Sequence, residues 1–265
     1  MNEILVAVDF SQASINALEH TVGLAKKFNS SILLAWIENK SAIKTIGASN
    51  ASEAKEKAKQ KFEEITKKYA DIDIEYRFLH GNMHVEITKI AKEMKVDMIV
   101  VGITGKSGFT RFFIGDNTSE IIKKSDCPVI TISNKRSSEQ GLEKIVVPID
   151  DALSTRQKVP IATKLAKAFG SKIYILGVYT SSVDSLNIRV DNYVKQVAKH
   201  FSDKGISFEI EMIKSSNISK ATLSYAEKIK ANLIAIMQNE EGGTSDMFLG
   251  SQAQQLVNQS QIPVI

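Results

Sequence analysis

This chain is written twice, and nothing else in it limits the possible folds so strongly. The opening run NEILVAVDFSQAS (2–14) returns as EKIVVPIDDALS (143–154), which sets Asp150 against Asp9. NSSILLAWIE (29–38) returns as GSKIYILGVY (170–179), and CPVI (127–130) returns as IPVI (262–265). The period far exceeds that of a solenoid repeat, so each copy must close a core of its own. With 265 residues and 43% hydrophobic content, two domains of ordinary size can do so. The polar run NKRSSEQGL (134–142) marks the boundary. The expected division is a first domain over 1–134, a linker over 135–142 and a second domain over 143–265.

Within the first copy, short apolar runs alternate with helical patterns. Residues 3–8 form an apolar run closed by Asp9, which reads as a buried strand, and Ser11 is placed to cap the first helix. Leu18, Val22, Ala25 and Phe28 recur at helical spacing over 13–28, and 32–37 is the next strand. Residues 39–50 are small and polar and read as a loop or a partly ordered crossing. Ala54, Ala58, Phe62, Ile65 and Tyr69 mark a second helix, 73–79 a third strand, and Ile87, Ile90, Ala91 and Met94 a third helix. Residues 98–101 form a fourth strand, TSEIIKK (118–124) a short helix and 129–132 a fifth strand. Strands alternating with helices require right-handed crossovers and a parallel sheet covered on both faces. The expected fold class is α/β: two tandem open parallel five-stranded sheets, each flanked by helices.

The stretch VDMIVVGITGKSGFTRFFIGDNTSEIIKKSDCPV (96–129) carries the chemistry. A strand runs into Gly102, a loop carries Gly105 and Gly108 and closes at Gly115, and a helix starts there. Glycines let backbone N–H groups approach a ligand, and a helix N-terminus favours an anion. Gly105-Lys106-Ser107 is not the tail of a P-loop, because Val100 stands where that motif needs its first glycine. A dinucleotide Gly-x-Gly-x-x-Gly follows none of the expected strands.

Gly102-x-x-Gly105, nine residues and then Gly115 resembles the nucleotide motif of the universal stress protein family, and the resemblance covers both copies. It implies an adenine nucleotide, ATP with or without Mg2+, bound in the first domain. The implied contacts are Ala7, Asp9, Trp36, Gly102, Gly105, Gly115, Asp116, Asn117 and Thr118. A carboxylate at Asp9 would hold the nucleoside, and the glycines with Asn117 and Thr118 the phosphates. The family has Ser or Thr where this chain has Asp116, whose charge would repel a triphosphate unless a divalent cation bridged the two. Trp36 stands where a small aliphatic residue is usual, and either stacks on a base, fills the pocket or packs in the core. Lys106 and Arg111 either neutralise phosphates or face solvent. The resemblance also implies an intramolecular pseudo-dimer, 129–132 pairing with 263–265, or a homodimer.

The second copy departs from the motif. Aligned from Gly250, Glu240 replaces Gly105 and Met237 replaces Gly102, while Gly177 replaces Trp36. Its site is expected to be empty or to hold something else, with Asp150 structural.

Several functions are excluded. Net charge is +4, and Lys55, Lys57, Lys59 and Lys61 alternate with other residues along a solvated helix face, with no basic cluster for nucleic acid. A single cysteine, Cys127, precludes an intramolecular disulfide. No apolar run approaches a membrane span and no leader precedes the first strand, so the expectation is a soluble cytoplasmic protein. His80 and His84 flank Gly81 without a third ligand, and read as surface or capping residues. No nucleophile–base constellation appears. The reading is therefore a stress-response nucleotide module. The alternatives are a scaffold or apolar-ligand binder, and more remotely a slow ATP hydrolase.

Overall fold

The computed structural model describes residues 1–103, 115–133, 141–237 and 251–265. It divides into two compact units, Met1–Glu139 and Gln140–Ile265.

In the first unit the order is β1 (Glu3–Ala7), α1 (Gln12–Phe28), β2 (Ser31–Glu38), α2 (Lys40–Thr45), α3 (Ala51–Lys68), β3 (Ile74–His80), α4 (Met83–Met94), β4 (Met98–Ile103), α5 (Asp116–Lys124) and β5 (Val129–Ser133). All pairings are parallel, in the order β3-β2-β1-β4-β5. Ser11 caps α1 as expected, its hydroxyl accepting from the Ser14 N–H at 3.3 Å. The run 39–50 is not all loop: Asn39 accepts from the Ala42 N–H at 2.9 Å and starts the short α2. One asparagine cap suffices there, although the segment lacks an apolar stripe.

The pleat of β2 sorts its residues between two faces. Leu33, Ala35 and Ile37 join Leu5, Ala7, Ile99 and Val101 in a core covered by Ile87, Ile90 and Ala91 of α4 and Ile121 of α5. Trp36, of opposite parity, is wholly buried and meets Phe78 edge-on at 5.8 Å; Phe62 of α3 packs on the same Phe78.

The second unit runs β6 (Lys144–Ile149), a 3-10 turn (Leu153–Arg156), α6 (Val159–Phe169), β7 (Lys172–Tyr179), α7 (Asp184–Asp203), β8 (Phe208–Lys214), α8 (Ile218–Lys228), β9 (Leu233–Ile234) and α9 (Ser251–Gln259). Its sheet has four strands, β8-β7-β6-β9, where five were expected. The fifth position is held by a single bridge, Ile234 to Val264, with the Ile236 N–H donating to the Ile265 carbonyl at 2.8 Å. The Ile234 N–H also donates to the Pro263 carbonyl and the Ile265 N–H to the Ile234 carbonyl, both at 3.0 Å. Residues 263–265 thus run where the fifth strand was expected, but pair over too short a length, beside a two-residue β9, to count as one. Among the described residues, no helix is long and apolar enough to cross a membrane.

Candidate functional site

In the first sheet the chain leaves β1 towards β2 on one side and later returns to β4 on the other. The strand order thus reverses beside β1, and a crevice opens at the carboxyl ends of β1 and β4, where such sheets take ligands. A cavity of about 390 Å3 occupies that crevice, within the range usual for small-molecule sites. Ala7, Val8, Ile37, Ala42 and Met83 give it an apolar side. Asp9, Ser11, Ser14, Asn39, Ser41, Asn117 and Thr118 give it a polar one, and Gly102, Ile103 and Gly115 complete the wall.

Asp9 shapes the local backbone and lines the cavity. Its Oδ1 accepts the Ser11 N–H at 3.0 Å, an Asx turn that shapes the entry to α1, while the residue also lines the cavity. Asp150 makes the same turn in the second unit, accepting from the Ala152 N–H at 3.3 Å. Between Asp9 and Ser11, Phe10 has φ +63°, a left-handed conformation that a bulky side chain rarely adopts. Its ring sits 5.0 Å from that of Phe62. Backbone strain of this kind costs about 1–3 kcal/mol and concentrates at functional sites.

The two described motif glycines act differently. A Cβ on Gly102 would lie 2.3 Å from the Ala13 carbonyl oxygen and 2.7 Å from the Ser14 nitrogen. The first turn of α1 crosses over Gly102, and that crossing by itself requires glycine there. A Cβ on Gly115 would meet no atom of the described residues within 4 Å. Gly115 is the N-cap of α5 and brings no side chain to that end, where Asn117 and Thr118 of the first turn join it in the cavity wall. Lys123 and Lys124 lie in the last turn of α5, matching its dipole. At the other end the positive pole meets the cavity wall.

Of the residues singled out in the sequence, Ala7, Asp9, Gly102, Gly115, Asn117 and Thr118 come together around this cavity. Trp36 does not: it lies inside the core, and Ile37 takes the cavity-facing position. The pleat decides this, since the strand runs on to Glu38 and only odd-numbered residues face Ala7. Asp116 is exposed and does not line the cavity. Gly105, Lys106, Arg111, Glu240 and Gly250 lie outside the described residues.

Ser14, Asn39, Ser41 and Met83 line the cavity without having been singled out. The clue for Asn39 was its capping position after a strand. His84 is also closer to the site than the sequence suggested, its Nδ1 lying 3.4 Å from Asn117 Oδ1. His80 is exposed, 3.6 Å from a Glu38 carboxylate oxygen. Among the described residues, no cluster of three or more His, Cys, Asp or Glu is arranged to hold a metal ion.

The second unit builds the corresponding place differently. The counterpart of Trp36, Gly177, has the Met212 sulfur in its missing side-chain space, 2.3 Å from where a Cβ would stand. Met237 replaces Gly102, and here a 3-10 turn with a late-starting α6 replaces the early turns of α1. Its cavity measures about 50 Å3 and is lined by Pro148, Asp150, Thr155 and Lys158 on one side and by α8 and α9 on the other.

Three comparisons with known proteins bear on this arrangement. The model of the universal stress protein family matches residues 1–133 and again 141–265. Universal stress protein MJ0577 of Methanocaldococcus jannaschii is 28% identical over 156 residues, covering 51% of this chain and 96% of that protein. Universal stress protein MJ0531 of the same organism is 26% identical over 141 residues, covering 51% of this chain and 83% of that protein. A solved universal stress protein from Archaeoglobus fulgidus is 22% identical, covers 99% of this chain and 97% of its own, and superposes with a TM-score of 0.78. That last likeness speaks for the tandem fold alone.

Proposed function

Because the chain belongs to the universal stress protein family in both halves, we propose that its first unit is an adenine-nucleotide module, taking ATP with or without magnesium and acting in stress signalling. The observation that carries this reading is one cavity of about 390 Å3 that joins an apolar slot to the amino end of α5. Ala7, Ile37, Ala42 and Met83 offer a flat base the apolar contact it needs. Asp9 has Oδ1 engaged with Ser11 and its second carboxylate oxygen left to accept from a ribose hydroxyl or an exocyclic amine. The first-turn backbone of α5 and the Thr118 hydroxyl offer donors to phosphate oxygens.

Asp116 faces solvent, so its charge is screened and opposes a phosphate less than its place in the motif suggests. Among the described residues that line the cavity, Asp9 is the only carboxylate. Magnesium, when present, would therefore be held mainly by phosphate oxygens and water. Of the features that favour a reading without nucleotide, Trp36 and Asp116 are not among the residues lining this cavity, and the departures of the second copy lie outside it.

Calorimetric titration of the full chain with ATP and magnesium tests the proposal. Saturable heat is expected, and Gly115→Val should abolish it while leaving the protein folded, since a side chain there enters open space rather than the core. A folded wild type that gives no heat overturns the reading. So does a Gly115→Val variant that binds as wild type.

A further inference from the structure

The cavity of the second unit differs from that of the first in a directed way. Aligning the repeated runs on Asp9 with Asp150, and on Gly102 with Met237, puts Lys158 where the first unit has Ala17 and Thr222 where it has Ile87. Ala17 and Ile87 are both wholly buried. Two core positions of one copy have thus become polar in the other, and both replacements line the same cavity. Lys158 is 6% exposed and Thr222 is 0% exposed. The Thr222 hydroxyl is buried with no hydrogen-bond partner among the described residues. Lys158 Nζ makes one long bond, 3.4 Å to Thr155 Oγ1. A buried ammonium and a buried hydroxyl left in this state cost stability unless something in the cavity accepts from them.

We propose that this cavity is a site for a small protonated oxyanion of the hydrogen phosphate class. Size sets the first limit. About 50 Å3 is several times the roughly 10–15 Å3 one water requires, and is far too little for a nucleoside. Donors set the second. Lys158, Thr222 and Gln252 all line the space and bring an ammonium, a hydroxyl and an amide to its wall. Gln252 is fixed by Ser219, whose backbone N–H donates to Oε1 at 3.3 Å and whose hydroxyl donates to the Gln252 carbonyl at 2.5 Å, with Oε1 2.9 Å from the same hydroxyl. With Oε1 the accepting atom, the amide NH2 is the donor Gln252 can offer a ligand.

Asp150 sets the third limit. It lines the same cavity, and a carboxylate repels an anion that brings no proton but accepts a hydrogen bond from one that does. Hydrogen phosphate carries an O–H for Asp150 and bare oxygens for Lys158 and Thr222. Sulfate at neutral pH carries none. Burial holds the Lys158 amine below an ordinary lysine, and Asp150 opposes that shift, so the ammonium persists at neutral pH. Pro148, Ile218, Ile236, Met237, Ala253 and Leu256 complete the lining, but a space of about 50 Å3 has no room for a base beside the ion. The ligand is therefore a free ion and not a nucleotide.

Calorimetry and thermal unfolding of the full chain in a phosphate-free zwitterionic buffer test this, with inorganic phosphate and sulfate as probes at equal ionic strength. Phosphate should bind and raise the midpoint, and sulfate should do neither. Lys158→Ala and Thr222→Ile, each restoring the residue of the first copy, should weaken phosphate binding roughly 10-fold to 100-fold. ATP binding by the first unit should stay as in wild type, which separates this site from any phosphate taken up there. Equal responses to phosphate and sulfate, or phosphate binding unchanged in either folded variant, overturn the proposal. No response in wild type overturns it as well and leaves the cavity to water.

Discussion

Replacing Lys158 by methionine removes a charge from a place that penalises it, and the size of the effect can be worked from the structure. Lys158 is buried at the start of α6, and burial pulls its amine from the 10.5 of an ordinary lysine down to about 8. Below pH 8 both the native and the unfolded chain carry the proton, so the full cost of the buried charge stands there. Between pH 8 and 10.5 the native state has shed the proton while the unfolded chain keeps it, and stability rises with pH. The gap corresponds to about 3 kcal/mol. Methionine keeps the length and packs without a charge. In phosphate-free buffer Lys158→Met should therefore stabilise the second unit by up to about 3 kcal/mol at pH 7, shrinking below about 1 kcal/mol at pH 10. Urea unfolding followed by circular dichroism measures the gap. Fluorescence of Trp36, the only tryptophan, follows the first unit separately. A difference that does not change with pH, or a variant less stable than wild type at pH 7, refutes the account of Lys158 as a buried, penalised cation.

Two further outcomes test the first unit. Gly102→Ala places a methyl 2.3 Å from the Ala13 carbonyl oxygen and should cost about 1–3 kcal/mol, read as a lower urea midpoint of the Trp36 signal; an unchanged midpoint refutes the crossing of α1 over β4. Trp36→Ala should cost about 3–5 kcal/mol by circular dichroism. It should leave ATP affinity in the folded population as it was, because the indole belongs to the face packed on Phe78 and not to the cavity wall.

Most elements of the first unit were legible because each is a short apolar run or a helical stripe bounded by a cap. The 3–8 run became β1, the 13–28 stripe became α1, and the glycine-closed segment before TSEIIKK became the start of α5. What was not legible depended on contacts distant in sequence. The reason for a glycine at 102 is a helix backbone nearly ninety residues upstream, which no local pattern reports. The side of the sheet that Trp36 takes depends on the parity of β2 relative to Ala7, and a strand end misplaced by one residue inverts it. The conversion of the second cavity showed only once Ala17 was laid over Lys158 and Ile87 over Thr222, because a lone lysine or threonine in a helix reads as surface.

The exchange of Trp36 with Phe78 for Gly177 with Met212 has a consequence for how the chain assembles. Two copies of one fold on a single polypeptide are each other's nearest competitor while they form, and similar neighbours invite strand exchange. A β2 segment inserted beside β8 would drive an indole into the space the Met212 thioether fills, and a β7 segment inserted beside β3 would leave a hole the size of that indole. Either hybrid is penalised by shape alone, so divergence in the two interiors sorts the halves into their own sheets.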